Sequence, residues 1–243
     1  MKIGVFDSGI GGLTVLKELI NNKPNNHYIY IGDTKNVPYG NKSYEELLNL
    51  SIKIIDYFIK EKVDKIIIAC GTVSSNLGAY LKLKYNIPII DIISPTINYL
   101  NNSLYNNVAV IATYMTINSH VFSKSLKDKN VLEIACPKFV PIIENNQSDI
   151  KNILDEYLKE IKGKYEILVL GCTHYPIIKE EIKEYLGDIK LLNMATPILN
   201  MVESGNSNSV IDINFTYLND NIKGNINKIL NDIDYNLKVI KLN

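Results

Sequence analysis

The chain of 243 residues carries 26 basic and 26 acidic residues, so no excess charge steers it toward nucleic acid or an anionic membrane. Its 46% hydrophobic content is ample for a buried core. Every basic residue is lysine, so no bidentate guanidinium clamp exists, and any carboxylate ligand falls to backbone N–H, hydroxyl, amide or lysine groups.

No apolar stretch approaches the roughly 18 residues of a membrane span, and no charged start leads into an apolar run. A cytoplasmic protein with no membrane partner and no nucleic-acid partner is expected. Cys70, Cys136 and Cys172 are too few and too far apart for a disulfide framework, and none forms a Cys-x-x-Cys pair. Free thiols are expected.

In chain order, Lys2 to Phe6 reads as a strand and Asp7-Ser8-Gly9-Ile10-Gly11-Gly12 as a turn. Leu13, Leu16, Leu19 and Ile20 then fall at helical spacing. A glycine-rich turn between strand and helix can bring backbone N–H groups to an anion. The third glycine of a dinucleotide loop is missing, so nucleotide binding is a weak reading, and Asp7 taken alone reads as a turn cap. His27 to Asp33 gives a second strand, followed by a loop through Val37-Pro38-Tyr39-Gly40. Ser43 with Glu46 predicts a capping box at the head of a long helix.

Further units repeat the alternation: strand Ile66 to Cys70, helix Val73 to Tyr85 and strand Ile87 to Ile92. Ser94-Pro95-Thr96 reads as a break and a domain crossing. Beyond it come strand Val108 to Ala112, a helix near Thr116 to Leu126, strand Val131 to Ala135, a loop from Pro137 to Glu144, and a helix from about Ser148 to Lys162. Leu191-Leu192 closes this series, and Gly205 to Ser209 reads as a linker. Strand Val210 to Tyr217, helix Ile222 to Ile233 and strand Leu237 to Leu242 follow, rejoining the first half. The expected fold is α/β: two similar domains with mainly parallel sheets, residues 1–93 plus 208–243 and residues 94–207. Ligands of such sheets bind beyond the carboxyl ends of the strands.

The organising stretch is Leu170-Gly171-Cys172-Thr173-His174-Tyr175-Pro176, where an apolar strand ends in a cysteine and Pro176 starts a helical pattern running to about Leu186. Cys70-Gly71-Thr72 repeats the arrangement after Lys65 to Ala69. Two strand-end cysteines, each near a threonine, suggest one site built from two halves and a setting in which a thiolate can form.

Together, Ile3 to Leu13, Gly32-Asp33 through Pro38-Tyr39-Gly40, Cys136-Pro137 through Glu144, and Leu170 to Pro176 resemble glutamate racemase, in order and over nearly the whole chain. The resemblance implies a racemase needing no cofactor, with its active site in the cleft between two α/β domains. It implies glutamate as small-molecule substrate, a role in supplying D-glutamate for peptidoglycan, and a homodimer. Racemisation needs two groups of similar basicity on opposite faces of Cα, and Cys70 and Cys172 meet that demand by alternating as thiolate base and thiol acid. By resemblance, Asp7 assists Cys70, while Glu144 and His174 assist Cys172. Pocket positions carried over in the same way are Ser8, Pro38, Tyr39, Gly40, Gly71, Thr72, Thr113, Thr116 and Thr173, with Asp7 and His174. No lysine stands in these motifs to form a pyridoxal Schiff base, and the developing carbanion falls to aimed donors in a water-poor cleft.

Blander readings stand beside these. Cys136 reads as inert packing. His174 could help hold zinc, but the chain has only three histidines and no second Cys/His cluster. Glu144 alone would be an ordinary loop carboxylate. One departure matters: the family places asparagine after the first catalytic cysteine, and here that residue is Gly71. Losing a hydrogen bond to a charged group weakens binding by roughly 1.5–3 kcal/mol, and Gly71→Asn is expected to restore it. The Leu192-Asn193-Met194 segment also lacks the family's Asp-Ser/Pro pattern. Two alternatives remain: a racemase of aspartate or another amino acid, and a non-catalytic binding protein that kept the fold.

Overall fold

The computed structural model describes residues 1–145, 150–206 and 208–242. Among them, ten strands form two sheets. The first takes β1 (Lys2–Asp7), β2 (His27–Gly32), β3 (Lys65–Ile68), β4 (Ile89–Asp91), β9 (Val210–Phe215) and β10 (Asn236–Val239), in the order β10-β9-β2-β1-β3-β4. The second takes β5 (Asn107–Ala112), β6 (Asn130–Ala135), β7 (Ile167–Leu170) and β8 (Lys190–Asn193), in the order β6-β5-β7-β8. Every pairing is parallel.

The central strands are continuous apolar runs because both faces are covered. On one side of each sheet lies a shared core, in which Ile3, Val5, Tyr28 and Ile67 join Val108, Val110, Ile167 and Val169. The outer face of the first sheet carries helices Tyr44–Lys60 and Gly71–Lys84, with Ile54 and Phe58 of the first packed in one core with Phe6 and Ile68 of the sheet. The outer face of the second is covered by helices Ile150–Leu158 and Lys179–Leu186 over Ala109, Leu168 and Leu170.

The two sheets share one logic. In each, the first strand lies between the second and the third, and the fourth pairs with the third. That reversal of strand order is where a crevice opens at the carboxyl ends. Cys70 follows the third strand of one sheet and Cys172 the third strand of the other.

The capping box at Ser43 is present: its Oγ accepts from Glu46 N–H at 3.2 Å, and Glu46 Oε2 accepts from Ser43 N–H at 2.8 Å. Several boundaries differ from expectation. Ser94-Pro95-Thr96 is no break; it lies in helix Ile93–Asn101, which links β4 to β5 with Pro95 in the first turn, where its missing N–H costs nothing. For the same reason Pro141 is accepted in helix Phe139–Glu144, where a loop was expected. The helix expected over 116–126 is two, Tyr114–Ser119 and Val121–Ser125, divided by His120 at φ 54°.

Other ends shift less. The helix after Cys70 starts at Gly71, and β3 and β4 are shorter than their apolar runs. Pro176 sits in a 3₁₀ turn, Tyr175–Ile178, ahead of helix Lys179–Leu186. The last helix stops at Ile229 and β10 at Val239. Ser148 and Ser207 lie outside the described residues. No helix among the described residues is long and apolar enough to cross a membrane.

Candidate active site

The β1 turn closes on itself. Asp7 is fully buried, and its Oδ2 accepts hydrogen bonds from Gly9 N–H at 3.1 Å and Gly12 N–H at 3.0 Å. The anion that this glycine-rich turn serves is therefore Asp7 itself, which caps it. The other carboxylate oxygen accepts from Thr173 Oγ of the opposite half at 3.1 Å. Thr14 Oγ, in the first turn of the following helix, donates back to the Thr173 carbonyl at 3.0 Å.

Asp33 organises the next loop. It is buried and takes hydrogen bonds from Tyr39 OH at 2.6 Å, Thr216 Oγ at 2.7 Å and the Asn36 amide at 3.0 Å. A buried carboxylate without a cation is tolerable only when its lone pairs are filled in this way. The result fixes Pro38, Tyr39 and Gly40 at the sheet edge.

Cys70 is the N-cap of helix Gly71–Lys84 and is buried. Its thiol is pushed up to about 12, chiefly by burial and then by the Asp7 charge, while the Val73 N–H and the Ser8 hydroxyl at 3.9 Å pull the other way. The thiolate setting anticipated here is thus a protonated thiol in the closed cleft. Across the cleft, Cys172 Sγ stands 3.8 Å from His174 Nδ1, and His174 Nε2 is 2.9 Å from Glu144 Oε1. Burial alone would lower the imidazole's pKa, but the hydrogen bonds and charges of Cys172 and Glu144 outweigh it and raise it to about 10. Glu144 is anchored through its carbonyl, which accepts from the Asn221 and Asn225 amides at 2.6 and 3.3 Å.

One cavity joins these groups. Ser8, Val37, Pro38, Tyr39, Gly40, Cys70, Gly71 and Thr72 line it from the first half, and Thr113, Val140, Gly171, Cys172, Thr173 and His174 from the second. It measures about 20 Å³ to a water-sized sphere, roughly the room one water needs. Three expected residues stand behind this wall. Asp7 backs Ser8 and Thr173, and Glu144 backs His174. Thr116 backs Thr113, sharing a 3.0 Å hydrogen bond with its hydroxyl. Thr113 in turn shares one of 3.0 Å with Thr72 across the halves.

Sequence reasoning missed Val37, Val140 and Gly171 as wall residues, although each lay inside or beside a motif already marked. It also missed Thr14, Asn221 and Asn225, which no local pattern distinguishes. Cys136 is fully buried, with its thiol 3.7 Å from the Ile134 carbonyl, and is absent from the wall. Among the described residues, no group of three or more His, Cys, Asp and Glu side chains could hold a metal ion.

Two strand-end thiols, one per sheet, facing one cavity define a class. The Asp/Glu/hydantoin racemase model matches residues 13–202, and the chain belongs to that family. Within it, the chain is 36% identical over 249 residues to glutamate racemase of Aquifex pyrophilus, covering 98% of this chain and 97% of that protein. It is 43% identical over 207 residues to glutamate racemase of Fusobacterium nucleatum, covering 82% and 78%. A crystal structure of Francisella tularensis glutamate racemase with D-glutamate superposes with a TM-score of 0.87 at 32% identity, covering 100% of this chain and 98% of that one.

Proposed function

We propose that this chain is a glutamate racemase that interconverts L- and D-glutamate without a cofactor and supplies D-glutamate for peptidoglycan in the cytoplasm. The observation that carries the reading is the pairing of Cys70 and Cys172 on the two sides of one cavity. A thiolate on one side takes the Cα proton, leaving a carbanion, and the thiol on the other side gives its proton to the opposite face. The roles exchange for the other enantiomer.

Substrate charge would do part of the work. An ammonium group entering beside Cys70 favours the thiolate and offsets the burial that now holds the proton on sulfur. On the other side, the imidazolium of His174, held by Glu144, is poised to do the same for Cys172. The hydroxyls of Ser8, Thr72, Thr113 and Thr173 and the Tyr39-Gly40 edge would receive the substrate carboxylates, which suits a chain without arginine. Because the cavity is far smaller than glutamate, the halves, 1–93 with 208–243 and 94–207, must part to admit it. We propose a homodimer as the working form.

The test is circular dichroism of purified protein with L-glutamate, D-glutamate and L-aspartate separately, without pyridoxal phosphate. Loss of signal from both glutamate enantiomers is expected. Loss with aspartate alone would move the assignment to aspartate racemisation, and silence with all three in folded protein would favour a binding role.

A further inference from the structure

Between the two cysteines the backbones of the two halves meet. A Cβ placed on Gly71 would stand 2.7 Å from the Gly171 carbonyl oxygen and 3.5 Å from the Met194 methyl. The first contact is closer than side chains tolerate, and the atom in the way is backbone. Gly171 in turn sits close against its own sheet, with no room even for a Cβ, which would meet the Ile111 carbonyl at 2.7 Å and Ala112 Cβ at 3.0 Å. Gly171 N–H also donates to the Ile111 carbonyl at 2.8 Å. Gly171 is wedged into its own sheet, and Gly71 is the first residue of a 14-residue helix, so neither side yields locally.

We propose that Gly71 is a positioning residue. By placing no side chain at the seam, it lets the residue after Cys70 touch the residue before Cys172, and so sets how far the cleft closes and how far apart the two thiols stand. Any side chain at position 71 must push the halves apart. The earlier expectation for Gly71→Asn is therefore reversed: asparagine here wedges the cleft before it can offer its amide. Cross-half hydrogen bonds on either side of the seam, Thr72 to Thr113 and Thr173 to Asp7, are the ones such a wedge would stretch. The kinetic consequence rests on the racemase reading; the geometric one does not.

The experiment is iodoacetamide labelling of the native protein, read for each cysteine by mass spectrometry, in wild type, Gly71→Ala, Gly71→Asn and, as control, Gly224→Ala, whose Cβ would meet nothing within 4 Å. Cys70 and Cys172 should label about tenfold faster in both position-71 variants and at the wild-type rate in the control, as expected for a shifted balance of open and closed forms. Cys136, buried away from the seam, should stay slow. The ratio kcat/KM for glutamate should fall about tenfold with the same shift. Wild-type labelling rates in a folded Gly71→Ala would overturn the proposal, as would faster labelling of Cys136 to the same extent, which would signal general loosening. If the variants do not fold, wild type still decides: native Cys70 and Cys172 reacting as fast as in urea would end it. A wild type that racemises nothing, with the labelling pattern as described, would sink the racemase reading and leave the seam standing.

Discussion

The two halves set the same strand order around the same kind of cysteine, yet they surround it differently. Cys70 has a hydroxyl neighbour in Ser8 and a carboxylate, Asp7, pinned by two backbone N–H groups and Thr173. Cys172 has an imidazole, itself held by Glu144. A shared topology thus delivers two thiols to one cavity, and the side chains around each make them unlike: Asp7 from the end of β1 beside Cys70, and His174 and Glu144 beside Cys172. Under the racemase reading, one thiol must lose its proton against a buried carboxylate, and the other does so beside an imidazolium.

The largest test removes the pairing itself. Cys70→Ser or Cys172→Ser should lower racemisation of both enantiomers by about 10²–10⁴-fold or more, with the circular dichroism of the fold unchanged. Retained activity in either would break the two-half account. Next, His174→Gln and Asp7→Asn should separate the halves. Enantiomers have equal free energy, so kcat/KM must fall equally in both directions, by about 10²-fold. The asymmetry should appear in the Cα-deuterium isotope effect. It should grow for one enantiomer in His174→Gln and for the other in Asp7→Asn, and a parallel change in both would erase the distinction.

The pH dependence of stability sharpens the same contrast. His174 rises from an ordinary 6.5 to about 10, so its contribution is complete below about 6.5 and is lost as pH climbs through 10. The Cys70 thiol rises from 9.0 to about 12, so between those values the unfolded chain releases its proton first and stability falls again. Thermal melts should show Tm dropping from pH 7 toward 10 and further above it. His174→Gln should flatten the lower part, and Cys70→Ser should lessen but not remove the upper part, because burial also raises Cys136, Tyr28, Tyr30, Tyr39 and Tyr175. The smallest effect is at the seam of hydroxyls: Thr113→Val should cost about 1 kcal/mol, or roughly 2–4 °C in Tm for a chain of this size.

How far the sequence could be read follows from what is local. The apolar strand runs, the Ser43–Glu46 capping box and the cysteines beyond the strands depend on neighbours in sequence, and the structure has each of them, with β3 and β4 shorter than their runs. The two prolines at 95 and 141 misled because a breaker signal is also a helix-start signal, and only packing decides between them. His120 splits a helix through a backbone angle that its sequence does not announce. Thr116 was carried over as a pocket residue and stands one layer behind. Gly71 was readable as a missing side chain, but its meaning lay in Gly171, a hundred positions away, and no single-chain pattern reports that approach.

The central claim is that two thiols from two halves divide the proton transfer between opposite faces of one carbon. Racemisation of L-glutamate in heavy water, with product and recovered substrate analysed separately for deuterium at Cα during the first turnovers, tests it most directly. The account predicts deuterium in D-glutamate from its first appearance, while the unconverted L-glutamate keeps its protium. Deuterium building up in the recovered substrate ahead of the product would mean that a single group serves both faces, and would contradict it.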